Sequence, residues 1–403
     1  MKQSHFMLFP WGMIARKGER ADKFLESIKE CGFNGSCFVS EDEFDTCRKL
    51  GLEIYCALDS NPCEERALPH EIALFDKNMD TNELANIMNE KLRNLPRDVK
   101  HIYVTDEPGA GLFSRIKVLV DCVHKNTPWA EAYINLFPNY AVCGAPDLSQ
   151  LQVECYEEYL ERFAKEVNPD ALGLDNYQVI ASDNFKKESG RISYFRNLLQ
   201  ARSVCDKYNI PFQFVACCNQ LRYNYTIPTY ANLAFQGYTA LAAGARTLSW
   251  FLLYGRNDYL YTPIDDRDND RRTNTWYQLR DINRQILPLG ELLFDMEYKG
   301  MYFSKEQNFK EAQTIDICSD IRSFASDQQC VLGHYVDKAQ DNIWLVVNID
   351  LHNSANVQID LGNQLMYYNT QSESWQELML TSRKGESPIW LEAGCGILIK
   401  AKK

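Results

Sequence analysis

The sequence lacks any apolar run near the ~20 residues needed to span a bilayer. Its opening, MKQSHFMLFPWG, leads straight into a strand-like segment without the apolar core and cleavage site of a signal peptide. The chain is therefore expected to be cytoplasmic, or exported with its signal already removed. Positive charge is also short: 43 Lys and Arg stand against 55 Asp and Glu, a net charge of -12. Nucleic-acid affinity rests on Lys and Arg displacing counterions, so DNA and RNA are excluded as partners. CxxC pairs are missing among the 14 cysteines, and no disulfide-scaffold spacing occurs, which points to reduced thiols. The adjacent Cys217 and Cys218 read as small apolar filler in a buried strand.

Glycine-rich phosphate loops of the GxGxxG or GxxxxGK[ST] kind are absent, which removes the usual sign of a nucleotide cofactor. Histidine is sparse, and His5, His70, His101, His124, His334 and His352 form no HxH or HExxH pattern. A metal-dependent hydrolase normally needs several imidazoles, so no metal and no cofactor are expected.

What the sequence does have is a rhythm. Short apolar runs rich in β-branched and aromatic residues alternate with longer amphipathic segments to about residue 295. The runs fall at His5–Trp11, Phe33–Ser40, Leu52–Asp59, His101–Glu107, Glu131–Phe137, Ala171–Tyr177, Pro211–Cys218 and Thr247–Tyr254. Helical patterns lie between them; in ADKFLESIKECG, Phe24, Leu25 and Ile28 share a face and Gly32 offers a stop. Such units predict an α/β (β/α)8 TIM barrel, whose strands are buried on both sides and read as continuous apolar runs. From Lys299 only short strands with turn residues remain, predicting a small C-terminal antiparallel β-sandwich. The expected domains are 1–295 for the catalytic barrel and 296–403 for the sandwich.

Barrel chemistry gathers at the C-terminal ends of the strands. Strand four ends in Asp106, Glu107 and Pro108, and strand six in Asp175, Asn176 and Tyr177. Asp59 ends strand three, Asn135 lies on strand five, and Trp250 and Tyr254 lie on strand eight. Strand seven ends in Cys217, Cys218, Asn219 and Gln220, without an acid. An isolated buried charge is costly, so Glu107 and Asp175 within apolar strands read as functional, whereas Glu41 to Glu43 read as a helix N-terminus. Two carboxyl groups across a pocket are what glycosidic cleavage needs: one protonates the leaving oxygen while the other attacks or activates water.

The pieces YVTDEPGA, YTALAAGARTLSWFLLYG and TNTWYQLRDINRQILPLGELL resemble the (β/α)8 glycoside hydrolases of clan A, of the family 42 β-galactosidase type. The resemblance implies a hydrolase acting on an oligosaccharide or polysaccharide. It makes Glu107 the acid/base of strand four and Trp250 a sugar-stacking ring. Two departures stand out: Asp106 occupies a place where that type has Asn, and VACCNQ carries no strand-seven nucleophile. Other barrel glycosidases place their pair on strands four and six, which implies Glu107 and Asp175 here. The substrate-binding set is then Asp106, Asp59, Asn135, Tyr177, Trp250, Tyr254 and Trp11. A catalytically inactive carbohydrate-binding barrel is the alternative.

Overall fold

The computed structural model describes all residues except 1–2, 15, 60–67, 146–147, 181–184, 186–187, 222–224, 256–259, 266, 268 and 380–388. Arg222 and Tyr223 in the loop after the seventh apolar run, and Asp266 and Asp268 in the loop after the eighth, lie outside the described residues.

The chain begins with β1 (Met7–Pro10), α1 (Glu19–Glu30), β2 (Gly35–Val39), α2 (Phe44–Leu50), β3 (Glu53–Cys56), α3 (Pro69–Phe75), α4 (Thr81–Leu92) and β4 (Val99–Asp106). It continues with α5 (Phe113–Asn126), β5 (Glu131–Leu136), α6 (Tyr156–Val167), β6 (Leu172–Asp175), α7 (Glu188–Tyr208), β7 (Phe212–Cys217), α8 (Tyr230–Ala242) and β8 (Thr247–Phe251). All eight expected strands are present, in one sheet of order β1-β8-β7-β6-β5-β4-β3-β2. This is the expected eight-stranded parallel barrel with helices between its strands. The short helices α2 and α3 were not anticipated, because neither is long enough to show a helical period. Helix α1 buries Phe24, Leu25 and Ile28 as expected. It stops where Gly32, at φ 88°, adopts the left-handed conformation that closes a helix end.

The sheet order leaves a seam between β1 and β2, and Asn34 bridges it. Its amide accepts from Leu8 N–H at 2.7 Å and donates to Phe6 O at 2.7 Å, while its own N–H donates to Leu8 O at 3.1 Å. Phe6 and Leu8 are fully buried, so truncation strands a donor and an acceptor away from water. Asn34→Ala is expected to destabilise the barrel by about 2–4 kcal/mol. A lowered urea midpoint checks this, and an unchanged midpoint contradicts it.

Aromatic rings fill the barrel interior. Phe9 stacks on Tyr55 at 3.9 Å, and Tyr55 stacks on His101 at 4.1 Å. Phe38, Tyr103 and Tyr133 join the same cluster. Toward the N-terminal ends of the strands, His101 Nε2 meets Glu53 Oε1 at 2.8 Å, and Glu131 accepts the Gln3 N–H at 2.8 Å. Rings and hydrogen-bonded side chains thus occupy that end, and chemistry is left to the opposite one.

The chain forms two compact units. The first holds Met1–Asn176, Gln200–Val215 and Ser249–Leu253; the second holds Tyr177–Leu199, Ala216–Leu248 and Tyr254–Lys403. In the second, a small pair, β9 (Ile264–Asp265) and β10 (Arg271–Arg272), precedes α9 (Asn274–Phe294). Then come β11 (Glu297–Phe303), β12 (Gln313–Thr314), β13 (Ser323–Ser326), β14 (Cys330–Val336), β15 (Asn342–Asn348), β16 (Ala355–Asp360), β17 (Leu365–Asn369), β18 (Ser374–Glu377), β19 (Ile389–Leu391) and β20 (Gly396–Ala401). They build a sheet of order β12-β11-β14-β15-β20-β17-β18 and a smaller one of order β13-β16-β19. Leu332, Trp344 and Ile399 from the larger sheet share a core with Val357 and Ile389 from the smaller. The arrangement is antiparallel as expected except that β11 and β12 run parallel. Helix α8 packs on this sheet, with the Tyr335 hydroxyl donating to Leu241 O.

Candidate active site

Strict alternation along β4 would send Tyr103 and Asp106 to opposite faces. The β4–β5 register instead skips a residue: Tyr103 pairs Tyr133, Thr105 pairs Ile134, and Asp106 pairs Asn135. Val104 is the extra residue of a bulge, a device that re-aims the side chains beyond it. Tyr133 and Asn135 share a face, and Asp106 therefore turns to the same face as Tyr103. Immediately afterwards Glu107 takes φ 45°, an uncommon conformation for a residue other than glycine and one that clusters at functional sites. Its N–H donates to Asn135 O at 2.8 Å, and the Tyr159 hydroxyl donates to Pro108 O at 2.7 Å. Both ends of the strand-four acid pair are thereby fixed.

Asn135 links the strands. Its Nδ2 donates to Asp106 Oδ1 at 2.9 Å and to Asp175 Oδ1 at 3.1 Å, so one amide group ties the acids of strands four and six together. Asp175 and Asn135 are each 2% exposed. Glu107 and Asp175 also share a hydrogen bond directly. All three acids are held well above the usual carboxylate range. Burial is the largest cause for each, followed by the charge of Asp175 on Glu107, of Asp106 on Asp175, and of Glu107 on Asp106. The Asn135 bond works against the rise at Asp106 and Asp175. No Lys or Arg of the described residues is among the leading influences on these three. Crowded, buried, uncompensated acids destabilise a fold and are a mark of functional sites.

Sequence reasoning missed a fourth acid. Glu71, on α3, accepts from the Tyr103 hydroxyl at 2.9 Å and from Leu68 N–H at 3.1 Å, and burial raises its carboxyl as well. Its charge adds to the rise at Asp106. The segment LPHEI carried the available signal, a proline at the helix start with Glu two residues later. Tyr133 was missed too: Ser249 and Trp11 approach its hydroxyl, which lies in the field of Asp106 and Asp175.

The structure thus brings together Asp106, Glu107, Asn135 and Asp175, with Trp11 close by. Trp11 is half-buried, packs edge-on against Phe38 at 5.8 Å, and contacts Phe251 at 5.4 Å. Trp250, expected to offer a stacking face, is fully enclosed. The half-exposed ring at the end of β8 belongs instead to Phe251, one residue on and on the opposite face. Asp59 is half-buried, and its charge acts on His70. Tyr177, half-buried, and Tyr254, 2% exposed, fall in the second compact unit. At the end of β7, Cys217 N–H and C=O are both bonded to the Gln236 side chain, at 2.8 and 2.9 Å, and Cys218 and Asn219 are fully buried.

No protein-family model matches the chain, and no curated protein does. Solved structures do. Gan42B, a GH42 β-galactosidase, superposes with TM-score 0.63 at 8% identity over 100% of this chain and 99% of that one. The β-galactosidase of Bacillus circulans sp. alkalophilus gives 0.61 at 9% identity over 99% of each. That of the psychrophilic Marinomonas ef1 gives 0.50 at 8% identity over 71% of this chain and 60% of its own length, so this chain spans about 60% of that enzyme. At such identities the likeness is one of fold. In fold the chain is similar to the GH42 β-galactosidases, with an eight-stranded parallel barrel followed by a β-rich region.

Proposed function

We propose that the protein is a glycoside hydrolase whose proton donor is Glu107 and whose second carboxyl is Asp175. The observation that carries this reading is the hydrogen-bonded Glu107–Asp175 pair, both members raised, at the strand ends of a barrel whose structural neighbours cleave glycosides. A carboxyl that keeps its proton near neutral pH suits a general acid. Asp106 and Asn135 hold the pair, and Trp11 with Phe251 offers ring surface to a sugar. Asp59 and Trp250 belong to the same compact unit as this centre.

Carboxyls ~5–5.5 Å apart act with retention and those ~6.5–9.5 Å apart with inversion, and a pair that shares a proton belongs with the first class. In this reading the glycosidic oxygen takes the Glu107 proton that Asp175 now accepts, and Asp175 acts as the nucleophile. Aryl β-galactosides are the first substrates to assay, given the neighbours, followed by a wider aryl glycoside panel. Proton NMR of the first-formed sugar is expected to show the substrate's own anomer, and the opposite anomer contradicts the nucleophile role.

One observation favours a second reading, a barrel that binds glycan without cutting it: β7 ends without a carboxylate. Calorimetry beside a reducing-sugar assay separates the two. Binding without product over a long incubation selects the binder.

A further inference from the structure

Helices α8 and α9 and strands β17, β19 and β20 line a groove of about 480 Å³, wholly inside the second compact unit. That volume lies in the ~300–1,000 Å³ range of small-ligand sites. At its rim stands Trp390 on β19, 68% exposed, although large aromatic rings are normally covered. Tyr368 and Tyr230 are further lining rings. The Tyr238 hydroxyl donates to Gln285 Oε1 at 2.8 Å, and Gln285 Nε2 donates to the Tyr230 hydroxyl at 2.8 Å. Tyr230 is used there as an acceptor, which leaves its own hydrogen to donate.

Around these rings lie polar side chains suited to hydroxyls. Gln371 and Glu392 are exposed. Among the described residues the lining contains no Lys or Arg. An anionic ligand would meet the Glu392 carboxylate, whereas a neutral sugar offers apolar C–H faces to rings and hydroxyls to amide and carboxylate. We infer that this groove is a second, non-catalytic site for a neutral oligosaccharide, with Trp390 as its stacking platform. The floor is rigid. A side chain at Gly394, φ 73°, would place its Cβ 2.0 Å from Ala231 O, and one at Gly396 would lie 2.8 Å from the Tyr238 ring, so the β19–β20 turn rests directly on α8. A preformed site loses little affinity to ordering.

The test uses the full chain carrying Glu107→Gln, labelled with nitrogen-15 and titrated with cellotetraose, β-1,4-galactotetraose and tetragalacturonate. The Trp390 indole signal is assigned by its loss in Trp390→Phe. At least one neutral tetrasaccharide is expected to shift that signal saturably, with tetragalacturonate inert. Calorimetry should show Trp390→Ala weakening binding at this site by about tenfold or more, and Trp390→Phe weakening it less. Because the readout is the Trp390 indole, it stands apart from whether the barrel hydrolyses anything. An unmoved signal at about 10 mM of both neutral sugars, ten times a millimolar Kd, overturns the site. So does an equal response to tetragalacturonate. If Trp390→Ala instead alters the sedimentation coefficient while sugars leave the signal unmoved, the ring serves contact between copies and the glycan site falls.

Discussion

Glu107→Gln is expected to lower turnover about 10³-fold, within the ~10²–10⁴ that general acid catalysis contributes, while the melting temperature stays level or rises. Glutamine fills the same volume and can still donate to Asp175, so the hydrogen bond between the two positions survives. What disappears is an acidic proton for the departing oxygen. The loss should therefore depend on the leaving group: large for an alkyl glycoside, small for a dinitrophenyl glycoside whose phenolate departs unaided. Asp175→Asn removes the second carboxyl and should penalise both substrates alike. Plotting log kcat/KM against leaving-group pKa for the wild type and both variants reads this directly. Equal losses for good and poor leaving groups in Glu107→Gln would remove it from the donor role.

The pH profile adds an independent reading. Burial and the charge of Asp175 raise the Glu107 carboxyl, so its acid form persists beyond the range where a free glutamate has ionised. The alkaline limb of kcat/KM is expected to belong to this group and to vanish in Glu107→Gln.

Much of the fold is written as local pattern. Each barrel strand is buried on both faces and so appears as an unbroken apolar run; GSCFV of β2 and FQFVAC of β7 contain no exposed residue. The strand-end acids Glu107 and Asp175 were legible for the same reason, as charges at the end of such runs. The facing of individual side chains was not. The bulge at Val104 leaves no mark in sequence, yet it decides that Asp106 joins Tyr103 on one face. Trp250 and Phe251 differ by one residue, and parity alone decides which ring is enclosed. Glu71 reaches the cluster from a seven-residue helix, too short to announce itself by periodicity, and only the fold carries it beneath Tyr103. Asn34 looks like an ordinary loop amide until β1 and β2 are seen to flank it.

Asp106→Asn is expected to stabilise the protein at pH 8 by about 2 kcal/mol or more relative to pH 5, since each unit of carboxyl pKa displacement is worth ~1.4 kcal/mol. Asp106 is raised by burial first and by the Glu107 charge second, against the pull of the Asn135 bond. A carboxyl raised in the folded state binds its proton more tightly there than in the unfolded chain. Its stability contribution is complete below the unfolded value near ~4 and is lost as pH climbs through the raised folded value. Asparagine carries no charge at any of these pH values and still offers Oδ1 to the Asn135 amide. His70 acts in the opposite direction. Burial lowers it to about 4, so its contribution is complete above ~6.5 and fades as pH falls toward that lowered value. Being common to both proteins, it cancels when the variant is compared with the wild type at each pH. Melting curves at pH 5 and pH 8 therefore isolate the acid cluster: the gap between Asp106→Asn and the wild type should widen toward pH 8. A gap of the same size at both values would mean that the three acids do not share one buried field.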